Sequence, residues 1–191
     1  MTQELLFYGP PGTGKTQNIS NLIRAAIEEG IPPERIACVS FTRKAAAESR
    51  ERVCKDWGLT ENMLPYFQTL HSMAYHAGGF KSSDVISKDD LEVIGDKVGL
   101  PFSTKSRGDT DFDMLGISDG DRYLSLHHLA RSKKKNLEQV YAEEADYDIQ
   151  WSLLVHLVNA YENFKSVRGK IDFTDMIEEF VRCDSPLGLD A

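Results

Sequence analysis

The sequence predicts an α/β fold in which a parallel β-sheet is interrupted by an all-helical segment. Two observations predict the sheet. Short apolar runs alternate with helical patterns over residues 1–78, and a glycine-rich run joins the first apolar run to the first helix. A third observation predicts the interruption, because the patterns that can be recognised within residues 79–166 are helical.

The front of the chain has the pattern of a β-α-β-α-β succession. Residues 5–8 form an apolar run that ends at Gly9, which is typical of a buried parallel strand. A helix with regularly spaced apolar residues follows, and Gly30 and Pro32 end it. The next strand, helix and strand are predicted at residues 36–42, 44–57 and 67–70, and the last leads into a helix that contains His71.

The later part of the chain is predicted to be helical apart from one polar loop. A capped helix begins at Ser87 with Asp90 and ends at Gly99. Residues 101–121 are polar and contain glycine, so we expect a mobile loop there. Further helices are predicted at residues 122–132, at residues 136–145, along an apolar stripe from Leu154 to Phe164, and from Asp172 onwards.

Composition narrows the class of protein and its location. The net charge of −8 argues against nucleic-acid binding through bulk charge, so any such contact must come from a local basic patch. Three cysteines without C-x-x-C spacing argue against a disulfide framework or a zinc site. No apolar run approaches the ~18 residues that span a bilayer, and no cleavable leader is evident. We therefore expect a soluble, cytoplasmic protein without membrane contact.

The glycine-rich run has the pattern G-x-x-x-x-G-K-[ST] of a phosphate-binding P-loop. Its residues are Gly9, Pro10, Pro11, Gly12, Thr13, Gly14, Lys15 and Thr16. Glycines let backbone N–H groups surround phosphate oxygens at a helix N-terminus, where the helix dipole favours anions. In such a loop Lys15 reaches the β- and γ-phosphates, and the Thr16 hydroxyl is a ligand of Mg²⁺. The run therefore predicts a site for Mg²⁺ and a nucleoside triphosphate, with Lys15 and Thr16 in catalytic positions.

A nucleoside triphosphatase also needs an acidic residue at the end of a second apolar strand to hold the metal ion. The sequence contains no apolar run that ends in Asp or Asp-Glu. Asp172 follows Lys170-Ile171 and opens a helix. Together with Asp175 it is therefore interpreted as an ordinary N-cap, without a catalytic role.

Three further segments resemble those of the UvrD/Rep/PcrA-like superfamily 1 DNA helicases. Residues 39–48, Val-Ser-Phe-Thr-Arg-Lys-Ala-Ala-Ala-Glu, resemble motif Ia of that family, usually T-F-T-N-K-A-A-x-E. Residues 68–72, Gln-Thr-Leu-His-Ser, resemble its T-F-H-S segment. Residues 171–177, Ile-Asp-Phe-Thr-Asp-Met-Ile, resemble the D-F-D-D-L-L segment that precedes Walker B. With the P-loop, these segments follow the family's order and spacing over nearly the whole chain.

The resemblance implies a RecA-like P-loop NTPase domain (1A) that is interrupted by a helical insertion domain (1B). Residues 1–78 then form the first part of domain 1A, residues 79–166 form domain 1B, and residues 167–191 return to domain 1A. It also implies ATP hydrolysis that drives translocation on single-stranded DNA and strand separation at a duplex junction. We expect the chain to stop just before Walker B, and the isolated chain to be inactive for that reason.

The resemblance further implies a set of DNA-binding residues. These are Phe41, Thr42, Arg43, Lys44, His71 and Ser72. An aromatic face suits a base, whereas hydroxyls and cations suit phosphates. Arg43 replaces the asparagine that is usual in the family, which keeps a donor and adds charge. The family's upstream glutamine that reads adenine has no counterpart before Gly9, so the choice between ATP and GTP stays open.

Other classes also fit part of the pattern. An AAA-type remodelling ATPase can carry the same P-loop, but it should show Walker B within ~60 residues of the loop, and this sequence does not. A small-molecule kinase is a more distant alternative. The chain could also act as a nucleotide- or DNA-binding module without catalysis.

Three weaker signals point to no site of their own. Asp109, Asp111 and Asp113 open a calcium-loop spacing that lacks its glycine and its final glutamate. The adjacent pair His127-His128 would face two directions on a helix, which argues against a metal site. For the basic run at residues 131–135 a solvated helix end is favoured over contact with duplex DNA.

Overall fold

The computed structural model describes residues 5–10, 12–103 and 118–183, and contains eight α-helices and two β-strands within them. The chain divides into two compact units, residues 1–69 and residues 70–191. Most of the loop predicted at residues 101–121 lies outside the described residues, as does the aspartate pattern at residues 109–113.

The first unit combines two helices with a small parallel sheet. Its elements are α1 (Lys15–Glu28), β1 (Cys38–Ser40), α2 (Arg43–Trp57) and β2 (Phe67–Thr69). β1 and β2 pair in parallel, with Val39 opposite Gln68 at the centre of the register. The buried side chains that hold the unit together are Ile23, Val53, Leu64 and Phe67. The predicted second and third strands are thus confirmed in shortened form.

The prediction of a strand at residues 5–8 was wrong. These residues have no regular secondary structure and are exposed, with Leu6 at 74% and Tyr8 at 83%. A parallel strand that is buried on both faces depends on hydrogen-bonded neighbours at both edges. Among the described residues, β1 and β2 pair with each other and no strand pairs with residues 5–8. An apolar run alone is therefore insufficient to form the strand.

The second unit is helical. Its helices are α3 (Leu70–Ala77), α4 (Lys88–Val98), α5 (Asp119–Lys133), α6 (Leu137–Glu144), α7 (Trp151–Arg168) and α8 (Phe173–Arg182). Three of them begin with a capping box, in which the N-cap side chain and the side chain three residues later each bond the other's backbone N–H. The pairs are Ser87 with Asp90, Asn136 with Gln139, and Asp172 with Asp175. The helix predictions are confirmed to within a few residues at each end.

The core of the second unit is built around the apolar stripe of α7. Leu154, Leu157, Tyr161 and Phe164 are buried, at successive spacings of three and four residues. They belong to one cluster with buried residues of α4, α5 and α6. A parallel bridge between Val85 and Ile171 ties the segment before α4 to the segment before α8, and the N–H of Ile86 donates to the Ile171 carbonyl at 2.9 Å.

The described part of the chain is therefore α/β, mostly helical, with a small parallel sheet of two strands. This confirms the predicted class at that level, whereas a RecA-like sheet and a separate insertion stay predictions. None of the helices in the described ranges has both the length and the apolar character that a membrane span requires.

Candidate functional site

The glycine-rich loop places glycines with positive φ before α1. Gly9, Gly12 and Gly14 have φ angles of 152°, 87° and 79°, where an L side chain is strained. At Gly9 a Cβ would also lie 2.6 Å from the hydroxyl oxygen of Thr13. That hydroxyl donates to the Pro10 carbonyl at 2.9 Å and closes the loop. The backbone conformation of the loop therefore explains why these positions are glycine. Pro11 lies outside the described residues.

Lys15 begins α1 and folds back over the loop. Its Nζ donates to the carbonyl oxygens of Gly9 at 2.5 Å and Pro10 at 2.8 Å. The N-cap is Gly14, which has no side chain, and the first turn of α1 holds no acidic residue. No side chain within this turn thus competes with an external anion for the first N–H groups of the helix. With the exposed Thr16 alongside, the loop offers backbone donors, a cation and a hydroxyl to a phosphate group.

A second group of predicted residues lies where β1 passes into α2. Phe41 follows the strand directly, and 70% of its surface is exposed. Thr42 is the N-cap of α2, and its Oγ1 accepts from the N–H of Ala45 at 3.1 Å. The first two residues of the helix are Arg43 and Lys44, both exposed at the surface. The junction therefore presents an aromatic ring beside two cations.

His71 and Ser72 lie in the second unit, at the start of α3. Both are half-buried. The His71 ring meets the ring of Phe173 edge to face, with 5.4 Å between centroids and 83° between planes. Phe173 is the first residue of α8, so the orientation of His71 depends on where that helix begins.

Asp172 has more partners than its sequence context suggested. The predicted N-cap is confirmed, but the side chain is also buried and paired with Lys165 and Arg131. Burial opposes ionisation, yet the charge and hydrogen bond of Lys165 outweigh it and hold the pKa of Asp172 below its usual value. A lysine within the apolar stripe of α7, four residues after Tyr161, is the sequence signal that could have indicated this pairing.

The basic run at residues 131–135 is largely neutralised within the chain. Arg131 pairs with Asp172, Asp175 and Glu178, while Lys133 and Lys135 pair with Glu144 and Glu143. The run lies at the C-terminal end of α5, as the favoured interpretation of a solvated helix end expects, and the choice against contact with duplex DNA stays a prediction. Arg131, however, is largely buried rather than solvated, with a side-chain exposure of 17%.

The histidine pair forms no metal site in the described part of the chain. His127 Nε2 lies 2.8 Å from a carboxylate oxygen of Glu162, and His128 Nδ1 lies 3.4 Å from the hydroxyl of Thr174. Within residues 5–10, 12–103 and 118–183, no group of three His, Cys, Asp or Glu side chains is arranged to hold a metal ion.

Comparison with known families and proteins agrees with the predicted resemblance. The family model described as UvrD/REP helicase N-terminal domain matches residues 1–185. A probable DNA helicase of Mycoplasma pneumoniae is 24% identical, covering 90% of this chain and 33% of its own length. A probable DNA helicase II homolog of Mycoplasma genitalium is 26% identical over 89% of this chain and 25% of its own length.

A shorter match extends the same group. A putative ATP-dependent DNA helicase of Bacillus subtilis, YjcD, is 38% identical over 37% of this chain and 10% of its own length. No solved structure matches the chain. The chain spans between a quarter and a third of the length of the two relatives that it matches along most of its own length.

Proposed function

Because the chain belongs to the UvrD/REP helicase N-terminal domain family, we propose that it is the nucleotide-binding and DNA-binding front part of an ATP-dependent DNA helicase. The observation that carries the proposal is the loop at residues 9–16, in which glycines with positive φ lead into the uncapped start of α1. This arrangement suits the phosphates of a nucleotide, as a P-loop does.

The residues of the loop divide the work of holding ATP and Mg²⁺. Lys15 carries the cation that would face the β- and γ-phosphates, and Thr16 carries the hydroxyl that would bind Mg²⁺. The backbone N–H groups of Gly12, Thr13 and Gly14 would surround phosphate oxygens. The positive φ angles of Gly12 and Gly14 support this arrangement. When bound, Mg²⁺ would be held by the Thr16 hydroxyl and would neutralise part of the phosphate charge.

Each unit contributes residues that we propose to contact single-stranded DNA. In the first unit, the exposed ring of Phe41 can stack on a base, while Thr42, Arg43 and Lys44 supply a hydroxyl and two cations for phosphates. In the second unit, the start of α3 supplies the aromatic ring of His71 and the hydroxyl of Ser72. We propose that the full reaction, translocation and strand separation at a duplex junction, is carried out by a longer protein in which this chain is the N-terminal part.

The architecture proposed for this function follows the family. Residues 1–78 would form the first part of a RecA-like domain 1A, residues 79–166 a helical domain 1B, and residues 167–191 the return to domain 1A. The helical character of α4 to α7 supports the middle assignment. The three free cysteines, Cys38, Cys54 and Cys183, support a cytoplasmic location.

The chain by itself is proposed to bind ATP and DNA rather than to hydrolyse ATP. Its sequence contains no apolar run that ends in Asp or Asp-Glu, the element that would hold Mg²⁺ opposite Thr16. An AAA-type remodelling ATPase shares the loop but not the segments at residues 39–48, 68–72 and 171–177.

A double dissociation with two variants of the 191-residue protein tests the proposal. Lys15→Ala should weaken binding of a fluorescent ATP analogue by about tenfold or more and leave binding of a labelled oligo-dT unchanged. Phe41→Ala should weaken binding of the oligo-dT, since loss of one stacked base costs about 1–3 kcal/mol, and should leave binding of the ATP analogue unchanged. Lys55→Ala, an exposed lysine in the last turn of α2, serves as the matched control and should change neither. Parental ATP affinity in Lys15→Ala, or no binding of either ligand by the parent, would contradict the proposal.

A further inference from the structure

A cluster of charged and hydroxyl groups joins three helices of the second unit. We call it the charge cluster, and it consists of Arg131 on α5, Tyr161 and Lys165 on α7, and Asp172 with Asp175 at the start of α8. Tyr161, Lys165 and Asp172 are almost fully buried, with exposures of 1%, 4% and 3%. None of these residues belongs to the proposed nucleotide loop or to the proposed DNA contacts.

The cluster is centred on the Asp172 carboxylate. Lys165 Nζ lies 2.7 Å from Asp172 Oδ2, the Tyr161 hydroxyl donates to the same oxygen at 3.0 Å, and Arg131 donates to it at 3.1 Å. Arg131 and Lys165 also donate to the two carboxylate oxygens of Asp175, at 2.6 Å and 2.9 Å. The N-terminal turn of α8 is thus held from two sides by α5 and α7.

Such a cluster allows little freedom in the position of α8. A buried carboxylate is tolerated only when its charge is paired and its oxygens are hydrogen-bonded, so each donor constrains where Asp172 can lie. The capping box adds two further bonds within the turn, from the N–H of Asp172 to Asp175 and from the N–H of Asp175 to Asp172, both at 2.8 Å. A shift of α8 would break several of these bonds together.

The turn that the cluster holds carries the contact with His71. Phe173 directly follows Asp172, and its ring meets the His71 ring at 5.4 Å and 83°. α3 packs against α8. A displacement of the first turn of α8 would therefore move the Phe173 ring against the His71 side chain.

We infer that Arg131 and Tyr161 are positioning residues, which orient His71 for single-stranded DNA by fixing Asp172 and the Phe173 ring that follows it. The inference rests on the proposed function, because it assumes that His71 contacts DNA. It gives residues of the helical region, remote from the DNA-binding set in sequence, an effect on DNA affinity. Neither residue touches DNA in this role.

The chain offers matched controls for both positions. Arg122 also lies on α5 and also holds two carboxylates, those of Asp146 and Asp148, at 2.9 Å and 2.8 Å, but these belong to the segment between α6 and α7. Tyr141 resembles Tyr161, because its hydroxyl donates to the Ile149 carbonyl at 2.7 Å. Neither control residue contacts α8 through these bonds.

The test compares Arg131→Gln and Tyr161→Phe with Arg122→Gln and Tyr141→Phe in the 191-residue protein. The first pair should weaken oligo-dT binding by roughly three- to tenfold, and the control pair by less than about twofold. The His71 ring resonances in a ¹H–¹³C spectrum should shift in the first pair only, since the ring of Phe173 changes its distance and angle. ATP-analogue affinity should stay at the parental value in all four. Tyr161→Phe, which removes a single hydroxyl, keeps the test valid if Arg131→Gln fails to fold.

His71→Ala separates failure of the inference from failure of the proposed function. If His71→Ala loses DNA affinity while Arg131→Gln and Tyr161→Phe bind like the parent, the positioning role is wrong and the DNA contact stands. If His71→Ala binds oligo-dT like the parent, the assignment of His71 to DNA is wrong and the inference falls with it. Equal losses in the test pair and the control pair would show a general effect on stability and would also overturn it. A loss confined to the test pair, together with the shifted His71 resonances, is the result expected.

Discussion

The two units of the chain differ in how much of their apolar surface they bury. In the second unit, α7 lies within one continuous cluster with side chains of α4, α5 and α6. In the first unit, the buried cluster is confined to Ile23, Val53, Leu64 and Phe67, while Leu6 of the front segment and Phe41 after β1 are mostly exposed. The helical unit thus has the more extensive buried core, although Val167 and Val181 are mostly exposed. The unit with the glycine-rich loop has a smaller core and more exposed apolar side chains.

The difference follows from the kind of element that each unit contains. A helix satisfies its backbone hydrogen bonds within itself, so a helical unit needs only a shared apolar face. A strand needs neighbours for its hydrogen bonds, and β1 and β2 provide three paired residues each. The stability of the first unit should therefore be the lower of the two, although it carries the residues proposed to bind ATP.

The largest expected effect is the loss of unfolding free energy when a buried leucine is shortened to alanine in each unit. Leu157→Ala in α7 should lower the free energy of unfolding of the second unit by about 3–5 kcal/mol, because the surrounding cluster cannot close around the cavity. Leu64→Ala in the first unit, at equal burial, should cost only about 2–3 kcal/mol since its neighbourhood is less enclosed.

Each unit contains one tryptophan, which allows the two to be measured separately. Trp57 ends α2 in the first unit, and Trp151 begins α7 in the second. Urea unfolding of Trp57→Phe then follows the second unit, and that of Trp151→Phe follows the first. A larger loss for Leu64→Ala than for Leu157→Ala would contradict the comparison.

A pH effect of intermediate size should be confined to the second unit, which contains all five histidines of the chain. Burial is the main reason why the pKa of His128 falls to about 4, with Arg131, Lys165 and His127 acting in the same direction and Asp172 opposing them. An unfolded histidine has a pKa near 6.5, so the unfolded state binds this proton first as the pH falls. Stability is therefore fully present above about pH 6.5 and declines between about pH 6.5 and 4, by about 2–3 kcal/mol.

Asp172 adds to the same trend at lower pH. Its pKa is lowered in the folded state, so its contribution is present above the usual carboxylate range and is lost as the pH falls through that range. Unfolding of the second unit at pH 7 and at pH 4.5 measures the effect. His128→Gln should reduce the difference, and His156→Gln, at an exposed position of α7, should not. An equal pH dependence in the first unit would contradict the assignment to His128.

The smallest expected effect is the loss of a helix N-cap, which should lower the free energy of unfolding by the same amount in both units. Ser87→Ala removes the N-cap of α4 in the second unit, and Thr42→Ala removes that of α2 in the first. Each should cost about 1 kcal/mol in its own unit, because a cap bond depends on local geometry and not on the surrounding core. Only Thr42→Ala should also weaken oligo-dT binding, since Thr42 belongs to the proposed DNA contacts. Unequal costs would mean that packing contributes to the caps.

The accuracy of the sequence predictions follows the same division. The helices of the second unit were predicted because periodicity and caps are local, as at Ser87 and Asp90 or at Gly99, which ends α4. The strand at residues 5–8 was wrong because its formation depends on partners far along the chain. The loop at residues 9–16 was found from its pattern, but the role of the pattern stays a prediction.

The charge cluster could not be predicted for a related reason. The capping box of Asp172 and Asp175 is local and was interpreted correctly. The pairing of Asp172 with Arg131 joins residues 41 positions apart, and no periodicity indicates it. Arg131 therefore appeared to belong to the exposed basic run that follows it. Arg131 differs from the rest of that run because it is largely buried. Its burial follows from how α5 packs on α7 and α8.

The bridge between Val85 and Ile171 bears on the order in which the second unit can assemble during synthesis. Helix α5 packs on α6 and α7, and α4 packs on α7, so these four helices can pack together once α7 has left the ribosome. Residues 84–86 and α3 must wait for α8, since it is the last of these elements to be translated, and closing so long a loop is entropically costly. Of the helices in this unit, α3 with His71 therefore waits longest for a partner. We expect a cellular protease or chaperone to meet the nascent chain there first.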